Sequence, residues 1–382
     1  MKTAWLILSI GAQLLTIPSA VAQLPTATGK QINMSNAAWK IFIPDNYYQR
    51  ADGKADLLIH FHGDPQTFRN NAKYANLNTI IVTVNYSGLS SAYSTPFSNA
   101  ALFQSLINET LDKVTDEPSI PDSLEWDKIA VSSFSAGYGA VREILESSTY
   151  RNEIDVLLAA DSLYATTAAD GTAVDSQLVD YKTFANLAKT GSKTFIYSHS
   201  QVPTYTYEST YEVADELMQS LGLTATLINT NGLGTLNFYR TAKTGNFNLW
   251  GATGTDGDSH LEHLRYIGEF LEDLPLGKIP AQGDYNADGS ITAADYVLWR
   301  KTVGSSTTLW ANGDTTGASA NIVDRADYTM WQKKFVSMNP TGPRGIVAVP
   351  EASSVLMLMP LIALSWSRRR FRQIAETRRH AR

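Results

Sequence analysis

Six short apolar, β-branched runs punctuate the first two thirds of the chain, at 57–61, 79–84, 129–131, 156–160, 194–197 and 247–250. Within each run the apolar positions are continuous rather than alternating, as expected of strands covered on both faces. Segments with helical apolar spacing separate most of them, at 99–114, 136–146, 181–187, 208–221 and 261–271. This alternation predicts an α/β domain, a mostly parallel sheet with helices on both faces. Chemistry in such sheets collects beyond the carboxyl ends of the strands.

Two strand ends stand out on that basis. The run at 129–131 leads into Ser133-Phe134-Ser135-Ala136-Gly137 and then a helical segment. A sharp strand-to-helix turn strains its central residue and tolerates only small neighbours two positions away. Ser133 and Gly137 supply them, so Ser135 is lifted clear of the sheet as a candidate nucleophile. Upstream, the run at 57–61 ends in His62-Gly63-Asp64, a turn able to present backbone N–H groups to an oxyanion.

With these motifs the chain resembles the α/β-hydrolase superfamily over 38–275. The resemblance implies a serine hydrolase with a Ser–acid–His triad in that chain order, and an oxyanion hole from Gly63, Asp64 and Ala136. Two departures are mild: Ser133 stands where glycine is commonest, and Gly63-Asp64 replaces a glycine run. Neither removes an N–H.

The resemblance places the base near the last strand. Asp258-Ser259-His260-Leu261-Glu262-His263 follows the run at 247–250. His260, read as part of a Gly-rich loop, is the leading candidate, and His263 is read as a surface or structural residue. His60 and His62 read as structural, and His199 ends its own strand in the wrong place for the base. The acid must accept the imidazole N–H. Asp161, directly after 156–160, is preferred over Glu208; N-capping of the following segment is a rival role for Asp161. Tyr164, Tyr205, Tyr207 and Trp250 follow strand ends and could line a cleft, without identifying a substrate.

Composition narrows the classes. At 382 residues the chain exceeds one typical domain, and its formal net charge of −6 without a basic stripe argues against a nucleic-acid partner. Lys2, an apolar stretch to Ile17 and Ala20-Val21-Ala22 read as a signal peptide over 1–22, hence an exported protein. With zero cysteines, disulfides and thiolate metal sites are excluded, which leaves calcium as the obvious staple.

A Pro/Gly linker at 275–280 precedes a repeat: Ala294-Asp295-Tyr296 with Trp299 returns as Ala326-Asp327-Tyr328 with Trp331. Asp284, Asn286, Asp288 and Asp295 occupy positions 1, 3, 5 and 12 of a calcium loop, Gly289 position 6, and Ser290 position 7 through its carbonyl. Loop and repeat together resemble a type I dockerin over 281–336, a small all-α domain. This implies bound Ca²⁺ and docking to a cohesin-like partner or within the molecule. The second loop is degraded, since Asp314 lies too far upstream and Ala318 and Ala320 replace oxygens.

After a linker at 337–349, Pro350-Glu351, an apolar segment 353–366 and Arg368-Arg369-Arg370 resemble a PEP-CTERM sorting signal over 350–372. The apolar segment is short for a stable span, so a transient membrane anchor removed by a protease is expected. The function expected is an exported esterase acting on an ester, by association a carbohydrate-linked one. The alternative class is a catalytically silent hydrolase fold used for dockerin-mediated assembly.

Overall fold

A computed structural model describes residues 24–50, 52–305 and 322–338. The signal-peptide and sorting-tail expectations, the linker beyond 338 and most of the second calcium loop lie outside them.

Ten strands form one sheet: β1 (Gly29–Asn33), β2 (Trp39–Pro44), β3 (Lys54–Phe61), β4 (Thr79–Val84), β5 (Glu125–Phe134), β6 (Ile154–Ala160), β7 (Thr194–His199), β8 (Thr226–Asn231), β9 (Asn237–Thr244) and β10 (Phe247–Ala252). Their order is β1-β2-β4-β3-β5-β6-β7-β10-β9-β8. The six central strands, β4 through β10, pair in parallel. Antiparallel pairs close both edges, β1-β2-β4 on one side and β10-β9-β8 on the other. The parallel centre is the one expected, and the antiparallel strands at both edges make the whole sheet mixed. The outermost strands β1 and β8 escape the apolar-run reading because they are almost wholly exposed, whereas β2, buried at Trp39, Ile41, Phe42 and Ile43, escapes it although it is apolar.

The continuous apolar strands feed two cores. Leu57, Ile59 and Phe61 face one layer and Leu58 the other, and the same alternation runs through β6 and β7. Helices Ser90–Phe97, Ala101–Thr115, Tyr138–Glu146, Val179–Lys189 and Thr210–Leu221 cover the first layer. Helices Pro65–Tyr74 and Gly268–Leu271 cover the second. The expected helix at 261–271 is two pieces, Gly257–Arg265 and Gly268–Leu271. The first begins early because Asp256 caps it, accepting from Ser259 N at 2.9 Å.

The segment read as a linker is stitched to the sheet domain. Gly277 N donates to Asp56 Oδ2 at 2.6 Å, Asn78 N to Gly277 O at 2.7 Å, and Ile279 N to Asn76 O at 2.9 Å. Leu276 and Ile279 are buried there. Pro and Gly in this stretch mark a strap, not a free tether.

Beyond it, helices Ala293–Thr302 and Arg325–Met338 pack through Tyr285, Ile291 and Trp331. Their contacts are reciprocal. Trp299 Nε1 donates to Asp324 O at 2.6 Å, and Trp331 Nε1 to Thr292 O at 2.8 Å. Asp295 accepts from Thr292 N, and Asp327 from Asp324 N, both at 2.7 Å.

Candidate active site

β5 ends at Phe134, a tight turn spans Ser135–Gly137, and helix Tyr138–Glu146 follows. Ser135 sits at φ +47°, a region that costs a side-chain-bearing residue about 1–3 kcal/mol unless its surroundings enforce it. They do. Gly137 lies so close to the end of β3 that a Cβ there would stand 2.2 Å from the Phe61 carbonyl. Ser162 Oγ lies 2.8 Å from Ser133 Oγ and 2.9 Å from Ser135 O, so the serine in the usual glycine place is partnered and the turn is fastened. His62, Asp161 and Leu163 also have positive φ, which concentrates backbone strain around this point.

Asp161 follows β6 and is wholly buried. Its Oδ2 stands 2.6 Å from His260 Nδ1, and its Oδ1 accepts from Ser200 N at 2.8 Å and from the Thr210 hydroxyl. Burial works to raise its carboxyl. The charges of His263 and His260, and the bonds from His260 and Thr210, outweigh it and hold the group well below the usual carboxylate range. His260 lies inside helix Gly257–Arg265 rather than in a loop, and its ring stacks on Phe134 with centroids 4.7 Å apart.

Ser135 and His260 line one cleft of about 750 Å³, together with Ala136. Gly63 and Asp64 are not among its lining residues; Gly63 has φ +110° and the Asp64 carboxylate caps helix Pro65–Tyr74 through Thr67 N at 2.7 Å. Tyr164, Tyr205 and Tyr207 do line the cleft, whereas Trp250 packs against Phe238. Glu208 is held by a backbone bridge to Ala165, and its carboxylate takes no bond from His260 among the described residues.

The remaining histidines are structural in their contacts. His60 lies 3.0 Å from Ser132 Oγ and stacks on Phe68; His62 pairs with Tyr93 Oη at 2.8 Å. His263, buried rather than at the surface, lies 2.8 Å from Ser198 Oγ. His199, also buried, does not reach the cleft. Its Nδ1 donates to Ser200 O at 2.9 Å and its Nε2 accepts from Arg240 Nε at 2.9 Å, which fixes the tautomer. Arg240 comes from β9, a strand absent from the sequence reading, so nothing in the sequence pattern announced this pair.

The loop proposed for calcium folds on itself. Asp288 N and Gly289 N donate to Asp284, at 3.2 and 2.9 Å, and Ser290 N to Asp288 at 2.9 Å. Tyr285 N and Asn286 N donate to Asp295 at 2.8 and 3.1 Å. Burial first, then the charges of Asp295 and Asp288, push the Asp284 carboxyl up. Among the described residues no group of three or more His, Cys, Asp or Glu side chains converges to hold a metal ion.

No protein-family model and no curated protein matches the chain. Among solved structures it is similar to a siderophore hydrolase from Aspergillus nidulans, with a TM-score of 0.36, 14% identity, 67% of this chain covered and 98% of that one. It is also similar to the feruloyl esterase module from Clostridium thermocellum complexed with sinapinate, at TM-score 0.39 and 11% identity, covering 65% of this chain and 88% of that one. An arylesterase stands at TM-score 0.36 and 14% identity, with 67% and 87% covered. These neighbours are esterases and hydrolases at low identity; the chemistry of the present site rests on its own geometry.

Proposed function

We propose that the chain is an exported serine hydrolase that cleaves an ester through Ser135, His260 and Asp161. One observation carries the reading: a serine strained to φ +47° opens on the same cleft as an imidazole whose Nδ1 lies 2.6 Å from a buried carboxylate. In this scheme Ser135 Oγ attacks the acyl carbonyl and its proton passes to His260 Nε2. Asp161 keeps the Nδ1 proton in place and offsets the imidazolium charge. The tetrahedral oxyanion faces the Ala136 N–H, a donor worth ~3 kcal/mol in comparable enzymes; the Gly63-Asp64 turn, which does not line the cleft, would have to shift toward it to add a second N–H. His260 then protonates the departing alcohol, and water, activated by the same imidazole, releases the acid. A fluorophosphonate probe tests the reading: Ser135 should label, and Ser135→Ala should neither label nor hydrolyse p-nitrophenyl acetate. A folded wild-type chain that does not label would favour the silent binding module instead.

For the C-terminal helices we infer a dockerin-like module with one structural Ca²⁺, held by Asp284, Asn286, Asp288, the Ser290 carbonyl and Asp295. Its support is an all-oxygen donor set within twelve residues and the mutual repulsion around Asp284, which a divalent cation would relieve. Because these carboxylates bond backbone N–H groups instead of converging, binding requires the loop to rearrange. Calorimetric titration of the full chain with Ca²⁺ decides it, and absence of uptake removes the ion. Docking to a cohesin-like partner follows from the same resemblance.

Export, with cleavage after Ala22 and near Pro350-Glu351, rests on the sequence. An intact mass from the native host that still ends at Arg382 would refute the second cut.

A further inference from the structure

Among the described residues lining the cleft, Arg142 is the one lysine or arginine, and no aspartate or glutamate lines it. Arg142 lies one helical turn beyond Tyr138, half-buried, with its guanidinium carbon 4.9 Å from the centre of the Tyr138 ring. It donates to the Tyr164 carbonyl. Its Nε is buried without a hydrogen-bond partner. Among the described residues it forms no ion pair. Glu143, next in the helix, lies within its field without pairing to it.

A partly desolvated guanidinium with no counter-ion is an unfavourable arrangement until an anion arrives; with Nε sealed from solvent and Nη2 given to the Tyr164 carbonyl, the terminal N–H groups not so used are the ones left to meet it. Its planar fork suits a carboxylate, which can take two parallel N–H bonds. Beside it runs an aromatic wall: Tyr138 to Tyr164 at 5.5 Å and Tyr164 to Tyr207 at 5.7 Å between ring centres. The wall offers flat apolar surface next to the charge.

We infer that the cleft selects esters bearing a carboxylate on a flat, ring-like group, with Arg142 as the partner of that carboxylate. The word ester rests on the serine-hydrolase reading above; the anion site itself does not. The rival role for Arg142 is purely structural, pinning the Tyr164 carbonyl.

Two matched ester pairs test the inference, each corrected for its reactivity toward hydroxide. They are 4-acetoxybenzoate against methyl 4-acetoxybenzoate, and 4-nitrophenyl hydrogen terephthalate against 4-nitrophenyl methyl terephthalate. The first pair carries the charge on the leaving group, the second on the acyl group. In wild type one pair should favour its anionic member in kcat/KM by about 10- to 100-fold. Added salt should shrink that preference. Arg142→Gln should abolish the preference and Arg142→Lys should lower it. Absence of preference in both wild-type pairs, or a preference that survives Arg142→Gln, overturns the inference. If Arg142→Gln does not fold by circular dichroism, the Lys variant serves, and an unchanged preference in it counts against the site. If wild type hydrolyses none of the four, the serine-hydrolase reading fails on its own. Calorimetry with 4-hydroxybenzoate against 4-hydroxybenzamide then decides the anion site. Tighter carboxylate binding in wild type, lost in the variant, supports it; equal binding of the two overturns it.

Discussion

Arg240 reaches His199 across a strand that carries no side chain between them. Gly251 of β10 pairs with His199 on one side and Arg240 on the other, and Arg240 Nε meets His199 Nε2 at 2.9 Å directly over it. A Cβ at Gly251 would stand 2.6 Å from Arg240 Cγ and 2.7 Å from His199 Nε2. The pair matters because His199 Nδ1 holds the Ser200 carbonyl, and the N–H of the same residue holds Asp161. Gly251→Ala should therefore destabilise the fold by about 1–3 kcal/mol through overpacking. It should also lower kcat more than it changes KM, because it loosens the carboxylate behind His260. Urea melts and steady-state kinetics read the two effects, and an unchanged kcat would separate the pair from catalysis.

The contact between Asp161 and His260 gives a sharper comparison. Asp161→Asn keeps the shape but presents an N–H, or the wrong tautomer, to the imidazole, and a loss of about 10⁴ in kcat is expected from the equivalent change in serine proteases. Glu208→Gln should change kcat little, since Glu208 is bridged to Ala165 instead. Equal losses in the two variants would take Asp161 out of its role.

The backbone at Ser135 sets activity against stability. Glycine adopts φ +47° without the Cβ penalty, so Ser135→Gly should be more stable than wild type by about 1 kcal/mol while inactive. Denaturation midpoints of wild type, Ser135→Gly and Ser135→Ala measure this. Only the glycine variant should gain; a gain shared by alanine would point to the hydroxyl rather than to the backbone.

His60, His199 and His263 predict how stability depends on pH. All three are buried, and burial above all lowers them, to about 3, 3 and 4. The unfolded chain takes up these protons below about pH 6.5, while the folded chain refuses them until well below that. Their contribution is thus complete above pH 6.5 and declines as pH falls toward 4, each with a slope of up to about 1.4 kcal/mol per pH unit. Asp161, held below its ordinary 3.8, keeps its contribution through that window and loses it only at lower pH. Urea melts at pH 7, 6 and 5 should show a steeper decline in wild type than in His60→Gln. Parallel declines would mean that His60 titrates normally in the fold.

The central sheet and the turn at Ser135 were legible because burial on both faces leaves continuous apolar runs, which a sequence displays directly. The edges were not, since β1 and β8 are exposed and β9 alternates buried and half-buried positions with two charges in it. A pattern built on continuous burial passes over such strands. His260 reads as a loop residue for a local reason. Gly254 and Gly257 flank Asp256, and the cap that starts the helix depends on one side-chain bond rather than on apolar spacing. The strap at 275–280 reads as a linker because its hydrogen bonds go to Asp56, Asn76 and Asn78, about two hundred residues earlier, and spacing along the chain cannot show them.

The reciprocal indoles of Trp299 and Trp331 carry a consequence for how the small module holds together. Each reaches the residue just before the other helix, so contact i to j returns as contact j to i, the rule of a two-fold homodimer interface. The module is a dimer written into one chain, and each half serves as the other's lid. Neither half would keep its helix start covered alone. A chain nicked between 305 and 322 would leave two pieces still clasped by both indoles and by the Tyr285 hydroxyl on the Asp327 carbonyl.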